Sequence, residues 1–392
     1  MLKVAFLTTD NRENSRQYEL EMPFFGTAPQ ALLEGFSATP NLEVHVISCT
    51  QRQMLSPTKL SNNIWFHSLY VPKLGWLRSG YSGCVLAVRR KLRDIKPDIV
   101  HGQGTERECA ISAVFSGYPS VVTLHGVMNA LAPLHKARFG SYLRCAALIE
   151  RLALKQCTGI ICISPYVMNM MEQYKARKWL VPNAIQNFFF KSPPSSRPFN
   201  KVPLIINVGV ISERKRQVEL LEVFQALANN PTPFKVMFVG KCDPNNIYAA
   251  TFQSRLKKLR KQQHFAFNHI EFLDSARFVE LYDDASLMVH FSSEESFGLT
   301  FAEALARNLP LIASDVGAAR NICEGISSAR VLPPGDFPAL KSALCNFLAH
   351  QKPGSQPFYN SSDIIASRYH PKVIASRHLE IYREVLSDSK AS

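Results

Sequence analysis

The sequence predicts an α/β protein of two domains, each a parallel β-sheet covered by helices, and three observations carry that prediction. Short β-branched or apolar runs alternate with longer amphipathic stretches along the whole chain, and such alternation produces parallel sheets with helices on both faces. One Pro/Ser-rich break, KSPPSSRPFN at 191–200, interrupts the rhythm near mid-chain, where neither helix nor strand tolerates it. The 392 residues, 46% hydrophobic and 19% charged, are enough for two cores and exclude a disordered chain. Residues 1–190 are therefore expected as a first domain, 191–202 as a linker and 203–366 as a second domain. Residues 367–392 follow as a closing helix, and a cleft is expected between the domains.

In the first domain the apolar runs place strands at 4–7, 44–47, 64–66, 99–101, 121–124, 159–163 and 179–181. Amphipathic spacing places helices at 28–36, 84–93, 142–156 and 166–175. In the second, strands are expected at 203–207, 234–239, 270–272, 287–291, 311–314 and 329–332, with helices at 218–228, 252–261, 278–283, 300–307 and 337–349. The amphipathic segment 371–386 supplies the closing helix.

Charge and cysteine usage narrow the function classes. The net charge is +14, and residues 1–190 carry 21 Lys/Arg against 12 Asp/Glu, an excess of nine, whereas the rest has 24 against 19. Such a basic balance suits an anionic partner: nucleic acid, an acidic membrane surface or a phosphorylated substrate. Nine cysteines without a CxxC pair argue against a disulfide scaffold or a zinc site. MLKVAFLTTDNRE reads as a first strand rather than a signal peptide, and no apolar run approaches the roughly 18 residues of a membrane span. A cytoplasmic protein, peripheral at most to a membrane face, is expected.

Ligands of open parallel sheets bind at the carboxyl ends of the strands, so the loops after strands matter most. After the strand 287–291 comes Ser292-Ser293-Glu294-Glu295-Ser296-Phe297-Gly298-Leu299-Thr300-Phe301-Ala302-Glu303. Glu295 falls at the strand-to-helix turn and Glu303 about two turns into the helix, both expected on the side of the cleft. Gly298 allows a ligand close to the backbone, and N–H groups at a helix start bind sugar or phosphate oxygens. On spacing alone, an equally good alternative makes Glu295 a helix cap and Glu303 a solvated or paired charge.

The segment from Glu295 to Glu303 resembles the E-x7-E element of family-4 retaining glycosyltransferases, written E-P-F-G-L-x-x-x-E, with Ser296 replacing proline. Other segments fall in the same register. Val208-Gly209-Val210-Ile211-Ser212-Glu213-Arg214-Lys215 resembles the glycine-rich turn whose Arg and Lys hold a diphosphate. Lys215 matches the lysine, Val210 stands where the arginine is usual, and Arg214 is the candidate substitute. Val181-Pro182-Asn183-Ala184-Ile185 resembles P-N-G-V/I, and Val122-Thr123-Leu124-His125-Gly126 the strand end whose histidine lies beside the donor sugar. Pro97-Asp98-Ile99-Val100-His101-Gly102 matches P-D-(I/V)-V-H, which places His101 on the acceptor side. Phe24-Phe25-Gly26-Thr27 occupies the place of a glycine pair of which Gly26 remains. Ser314-Asp315-Val316-Gly317-Ala318-Ala319-Arg320-Asn321 resembles S-D-x-G-G-x-x-E, and Pro334-Gly335-Asp336 also matches.

The resemblance implies the glycosyltransferase B fold: two Rossmann-like domains facing a cleft, with the C-terminal helix crossing back to the first. It implies that a nucleotide-sugar, UDP- or GDP-linked, donates a hexose-type sugar to the hydroxyl of a saccharide or lipid-linked acceptor, in cell-surface polysaccharide or glycolipid synthesis. Glu303 would accept from the ribose hydroxyls, and Glu295 would bind the sugar together with backbone N–H groups around Phe297, Gly298 and Leu299. Lys215, with Arg214, would neutralise the leaving diphosphate beside Gly209 and Gly26, and His125 would complete the catalytic set. No DxD stands in a suitable loop, Asp283-Asp284 lying in an expected helix, so no metal or other cofactor is expected. Rival readings are a nucleotide-sugar 2-epimerase of the same fold and an inactive nucleotide-sugar-binding protein. Nucleic acid as partner is disfavoured by the lack of an RRM, KH or helix-turn-helix signature. The seven Lys/Arg of residues 73–96, with Trp76, Leu77 and Tyr81 among them, point to an anionic membrane surface, or else to a solvated helix face.

Overall fold

A computed structural model of the chain describes residues 1–134, 140–195, 201–227, 230–261, 266–351 and 360–391. The backbone divides into two compact units, Met1–Gln186 with Tyr369–Ser392, and Asn187–Arg368.

The sheet of the first unit is built from β1 (Leu2–Leu7), β2 (Leu42–Thr50), β3 (Lys59–Ser61), β4 (Ile64–Tyr70), β5 (Ile99–Gln103), β6 (Ser120–Leu124), β7 (Gly159–Cys162) and β8 (Arg177–Leu180). Their spatial order is β3-β4-β2-β1-β5-β6-β7-β8. Every pairing is parallel except β3 against β4, an antiparallel edge hairpin. In register, Val4 of β1 lies between Val44 and Ile99, and Val4, Phe6, Val44, Val46, Ile99, Val121 and Ile161 fill one core. The C-terminal helix Pro371–Ala391 closes this core with Ile374, Ala375, Ile381 and Tyr382. It is held at its far end by Arg177, which pairs with Glu384 at 2.6 Å and Asp388 at 2.9 Å.

The second unit carries six parallel strands, β9 (Leu204–Val208), β10 (Lys235–Val239), β11 (Ala266–Ile270), β12 (Leu287–His290), β13 (Leu311–Ser314) and β14 (Ala329–Leu332). Their order is β11-β10-β9-β12-β13-β14. The strand expected at 270–272 ends at Ile270, where pairing with Val239 stops, and Phe272 beyond it is 80% exposed. Phe224, Phe238, Phe252 and Phe291 anchor the core.

The strand order reverses between β1 and β5 in the first sheet and between β9 and β12 in the second. Loops leaving such a switch point diverge to opposite faces and open a crevice at the carboxyl edge.

The change of unit falls before the Pro/Ser-rich break. Residues 187–190 form a short turn whose Phe189 packs on Tyr282, with ring centroids 5.6 Å apart. The next stretch is tied to the second unit. The buried Arg307 guanidinium donates to Phe189 O (3.3 Å), Lys191 O (2.6 Å) and Ser192 O (3.3 Å), and Asn308 donates to Pro194 O (2.9 Å). Residues 196–200 of the expected linker lie outside the described residues.

The basic segment 73–96 is a 3-10 turn pair followed by the helix Ser82–Ile95. Its aromatics are not at the surface as expected. Trp76 and Tyr81 are 5% and 2% exposed; the Trp76 indole donates to Val71 O at 2.9 Å, and Arg107 lies 4.8 Å over its ring. Leu74 and Leu86 are the large apolar side chains exposed here.

Candidate active site

The residues singled out in the second half of the sequence meet at the β9/β12 switch point. β9 ends at Val208, and the next loop carries Gly209 and the 3-10 turn Glu213–Lys215. β12 ends at His290, and its loop runs through Glu295 to Gly298, which starts the helix Leu299–Ala306 with φ 100°. The two loops are stitched together by Ser293 N donating to Arg214 O at 2.8 Å.

At their junction Lys215 Nζ donates to Glu295 Oε1, while Arg214 Nη1 donates to Glu294 O at 2.7 Å and lies 3.0 Å from Glu295 Oε2. Ser292 Oγ adds a donation to Glu295 Oε1 at 2.8 Å. Gly209 lies against the Lys215 side chain. Burial would raise the Glu295 carboxyl, but Lys215 and Arg214 outweigh it and hold the group down at about 2. Burial lowers the Lys215 ammonium, against the pull of Glu295. The two side chains form a buried salt bridge.

Glu303 is placed differently. It is buried in the helix Leu299–Ala306, and the Tyr282 hydroxyl donates to its Oε2 at 3.4 Å. Burial dominates and pushes it up to about 7, the Tyr282 bond and the charge of Lys215 offsetting little. Glu295 and Glu303 therefore differ in role. Cations hold the first as an anion, whereas burial raises the second toward neutrality.

Phe297 is buried, and its carbonyl accepts from Ala318 N at 3.1 Å, which joins the loop to the turn 315–318. Leu299 is the first residue of the helix and half-buried. Gly317 in that turn faces the carbonyl of Glu295.

The residues expected in the first domain form a separate group. Gly26 caps the helix Thr27–Ser37 with φ −59°, a conformation open to any residue. His125 follows β6, half-buried, with Nε2 on Gln103 Oε1 at 2.8 Å. A carboxamide oxygen only accepts, so Nε2 carries the proton and Nδ1 presents its lone pair. Burial lowers this imidazole to about 4.

His101, expected on the acceptor side, is wholly buried instead: Nδ1 meets Tyr382 Oη at 2.6 Å and Nε2 meets Thr123 Oγ1 at 2.7 Å. Nδ1 joins the C-terminal helix to the sheet, and Nε2 is spent on the neighbouring strand β6. A small pocket beside them is lined by Gln103, His125, Asn183, Ala184 and His378, which brings the Val181–Ile185 segment next to His125.

Sequence reasoning missed His290 and Ser292, which sit under Lys215 and Glu295. The signal was present as a polar residue ending an otherwise apolar strand, LMVH. Among the described residues, no three His, Cys, Asp or Glu are placed to hold a metal ion.

Two α/β units, each built on a parallel sheet whose strand order reverses, have the architecture of the glycosyltransferase B fold. Solved structures of that fold match nearly end to end. Sucrose-phosphate synthase from Thermosynechococcus elongatus superposes with a TM-score of 0.75 at 17% identity, over 99% of this chain and 100% of the other. WaaG, a glycosyltransferase of lipopolysaccharide biosynthesis, gives 0.67 at 18% over 97% and 99%, and Anabaena HepE with UDP and glucose gives 0.67 at 16% over 97% and 99%.

Residues 189–360 match the model of glycosyl transferases group 1 and residues 31–186 that of glycosyltransferase family 4. Together the two models cover most of the chain, which belongs to the family-4 glycosyltransferases. Among curated relatives, a phosphatidyl-myo-inositol mannosyltransferase of Mycobacterium leprae is 24% identical over 52% of this chain and 53% of its own length. The Escherichia coli serotype-specific mannosyltransferase WbdA is 26% identical over 42% and 22%. The matches thus span about half, or less, of these relatives.

Proposed function

We propose that this chain transfers a hexose-type sugar from a UDP- or GDP-linked donor to a hydroxyl of a saccharide or lipid-linked acceptor. The transfer proceeds with retention and without a metal, in the synthesis of cell-surface polysaccharide or glycolipid. The observation that carries this is the junction of Lys215, Arg214 and Glu295 at the β9/β12 switch point, with Glu303 in the adjoining helix. Curated relatives that transfer mannose favour a hexose donor.

The chemistry asks for what these residues have. As the acceptor oxygen bonds to the anomeric carbon, the bond from that carbon to the phosphate oxygen breaks and the diphosphate gains negative charge. Fixed cations at Lys215 and Arg214 stabilise that charge more in the transition state than in the ground state, which is what raises rate. The acceptor proton passes to the departing phosphate oxygen on the same face, so no enzymic base is required and configuration is retained. Glu295 orients the donor sugar, Glu303 takes the ribose hydroxyls, and the Nδ1 lone pair of His125 takes a sugar hydroxyl.

On the first unit, Lys73, Arg78, Arg89, Arg90, Arg93 and Lys96 are exposed together with Leu74 and Leu86. This is a cytoplasmic-facing surface suited to anionic lipid, each cation contributing about 1 kcal/mol. Salt-sensitive flotation with anionic vesicles tests it; no flotation removes the membrane from the proposal.

Thermal-shift screening against UDP- and GDP-sugars identifies the donor, because a ligand of the folded state raises its stability. Incubation of the stabilising sugar nucleotide with and without oligosaccharide acceptors then decides the reaction. An α-linked product from an α-linked donor supports retaining transfer. A donor isomerised without acceptor marks an epimerase, and binding without any turnover marks an inactive binding protein.

A further inference from the structure

Beneath Lys215 lies a side chain that the functional reading does not use. His290, the last residue of β12, is 1% exposed, and its ring lies edge-on to Phe301 at 4.9 Å. Its Nε2 is 3.2 Å from Lys215 Nζ and its Nδ1 is 2.9 Å from Ser292 Oγ.

Ser292 Oγ donates to Glu295 Oε1, and Lys215 Nζ donates to the same oxygen. The four groups therefore close a ring: ammonium, carboxylate, hydroxyl, imidazole. The direction of every bond follows. A carboxylate only accepts, so the single Ser292 proton points to Glu295 and Ser292 must accept from His290 Nδ1–H. Nε2 then carries the lone pair, which the ammonium, a pure donor, requires.

We propose that His290 is a positioning residue for Lys215: a neutral imidazole acceptor that aims the ammonium for the transfer reaction. The inference rests on the transferase reading for its purpose, though not for its geometry. Lys215 has three N–H bonds. Glu295 takes one and His290 takes a second, which leaves one direction in which the ammonium can meet an anionic ligand oxygen. A flexible four-carbon side chain otherwise loses rotamer freedom each time a ligand binds, and here the ring has removed that freedom in advance.

The charge state of His290 is part of the device. The charged or titratable groups around it are Lys215 and Arg214 from the loop after β9 and Glu294 and Glu295 from its own loop; the helix above it contributes the apolar Phe301. Burial, then the two cations, push the imidazole down to about 3, which leaves it a neutral acceptor near neutral pH.

The test compares His290→Phe with His290→Gln in the full chain. Phe keeps a ring against Phe301 but supplies neither acceptor nor donor, whereas the Gln carbonyl can take the place of Nε2. Phe is expected to lower kcat about 30-fold with the donor KM within about threefold, and Gln to recover to within about fivefold of wild type. Equal losses in both variants, at matched melting temperature, would overturn the proposal.

Imidazole ¹⁵N spectra of the wild-type chain give an answer that needs no turnover. The Nδ1–H tautomer is expected, with an Nε2 resonance that shifts in Lys215→Met; an Nε2–H tautomer would overturn the proposal even if Phe fails to fold. A wild type that binds neither UDP nor GDP and turns over no sugar nucleotide defeats the transferase reading instead, and the tautomer still decides whether His290 aims Lys215.

Discussion

Glu295 and Glu303 bracket one loop-to-helix segment, yet the fold gives them opposite proton affinities, about 2 for the first and about 7 for the second. Both are buried, so desolvation acts on both in the same direction. Glu295 has Lys215, Arg214 and Ser292 as partners, while Glu303 has a Tyr282 hydroxyl at 3.4 Å. Opposite charge within hydrogen-bond reach decides the difference.

A consequence for binding follows at Glu303. Ribose hydroxyls donate to a carboxylate and are poorer partners for a protonated carboxyl, so nucleotide binding favours the ionised form. Affinity for UDP or GDP is expected to rise between pH 6 and pH 8, through the value of about 7, with proton release near the midpoint. Calorimetry at pH 7 in buffers of different ionisation enthalpy measures that release. A pH-independent affinity without proton release would remove Glu303 from the nucleotide site.

Glu303 also bears on stability. Its folded value lies above the ordinary 4.5, so the stability linked to its proton is complete below pH 4.5 and lost as pH rises through 7. A shift of this size corresponds to about 3 kcal/mol. Glu303→Gln escapes the loss, and the variant is expected to melt near wild type at pH 5 and several degrees higher at pH 8.5. Parallel melting curves at the two pH values would contradict the assignment.

Glu295 responds in the opposite sense. Its folded value is depressed, so its contribution is present above pH 4.5 and lost as pH falls toward 2. Glu295→Gln leaves the Lys215 and Arg214 cations without their carboxylate, and breaking such a buried pair costs about 3–5 kcal/mol. Lys215→Ala leaves Glu295 with Arg214 and is expected to lower kcat by about 100-fold or more with a smaller stability loss. Denaturant unfolding and steady-state kinetics on the two variants separate the roles; near-wild-type turnover by Lys215→Ala would sink the site assignment.

The parts of this molecule legible in its sequence are those written locally. The parallel strands announce themselves as short β-branched runs, so β13 and β14 fall at 311–314 and 329–332 as expected. β3 has only Lys59, Leu60 and Ser61 before an Asn62-Asn63 turn, too short for any periodicity. The E-x7-E segment is likewise local. Long-range partners are not: His101 meets Tyr382 across 281 residues and His290 meets Lys215 across 75, and no spacing rule connects such positions. Trp76 shows a third kind of failure. A basic, aromatic-bearing stretch reads as surface, but Arg107, remote in sequence, covers the ring and buries it.

Gly317 supplies the last test, because it supports Glu295 from behind. It takes φ 60°, and a Cβ built there would lie 2.6 Å from the Glu295 carbonyl oxygen and 3.1 Å from Glu295 Cβ. Backbone atoms cannot rotate aside as a long side chain can, so Gly317→Ala must move the loop that presents Glu295 to Lys215. Gly325 is the control. It has φ 74° but meets nothing closer than an Arg368 nitrogen at 4.0 Å, so Gly325→Ala incurs the left-handed strain of about 1 kcal/mol without the clash. Gly317→Ala is expected to cost about 2–3 kcal/mol and to lower donor turnover about tenfold or more, while Gly325→Ala leaves turnover within about twofold. Chemical denaturation and donor kinetics on both variants decide the matter: equal stability losses with unchanged turnover would show that the loop position of Glu295 does not depend on the glycine behind it.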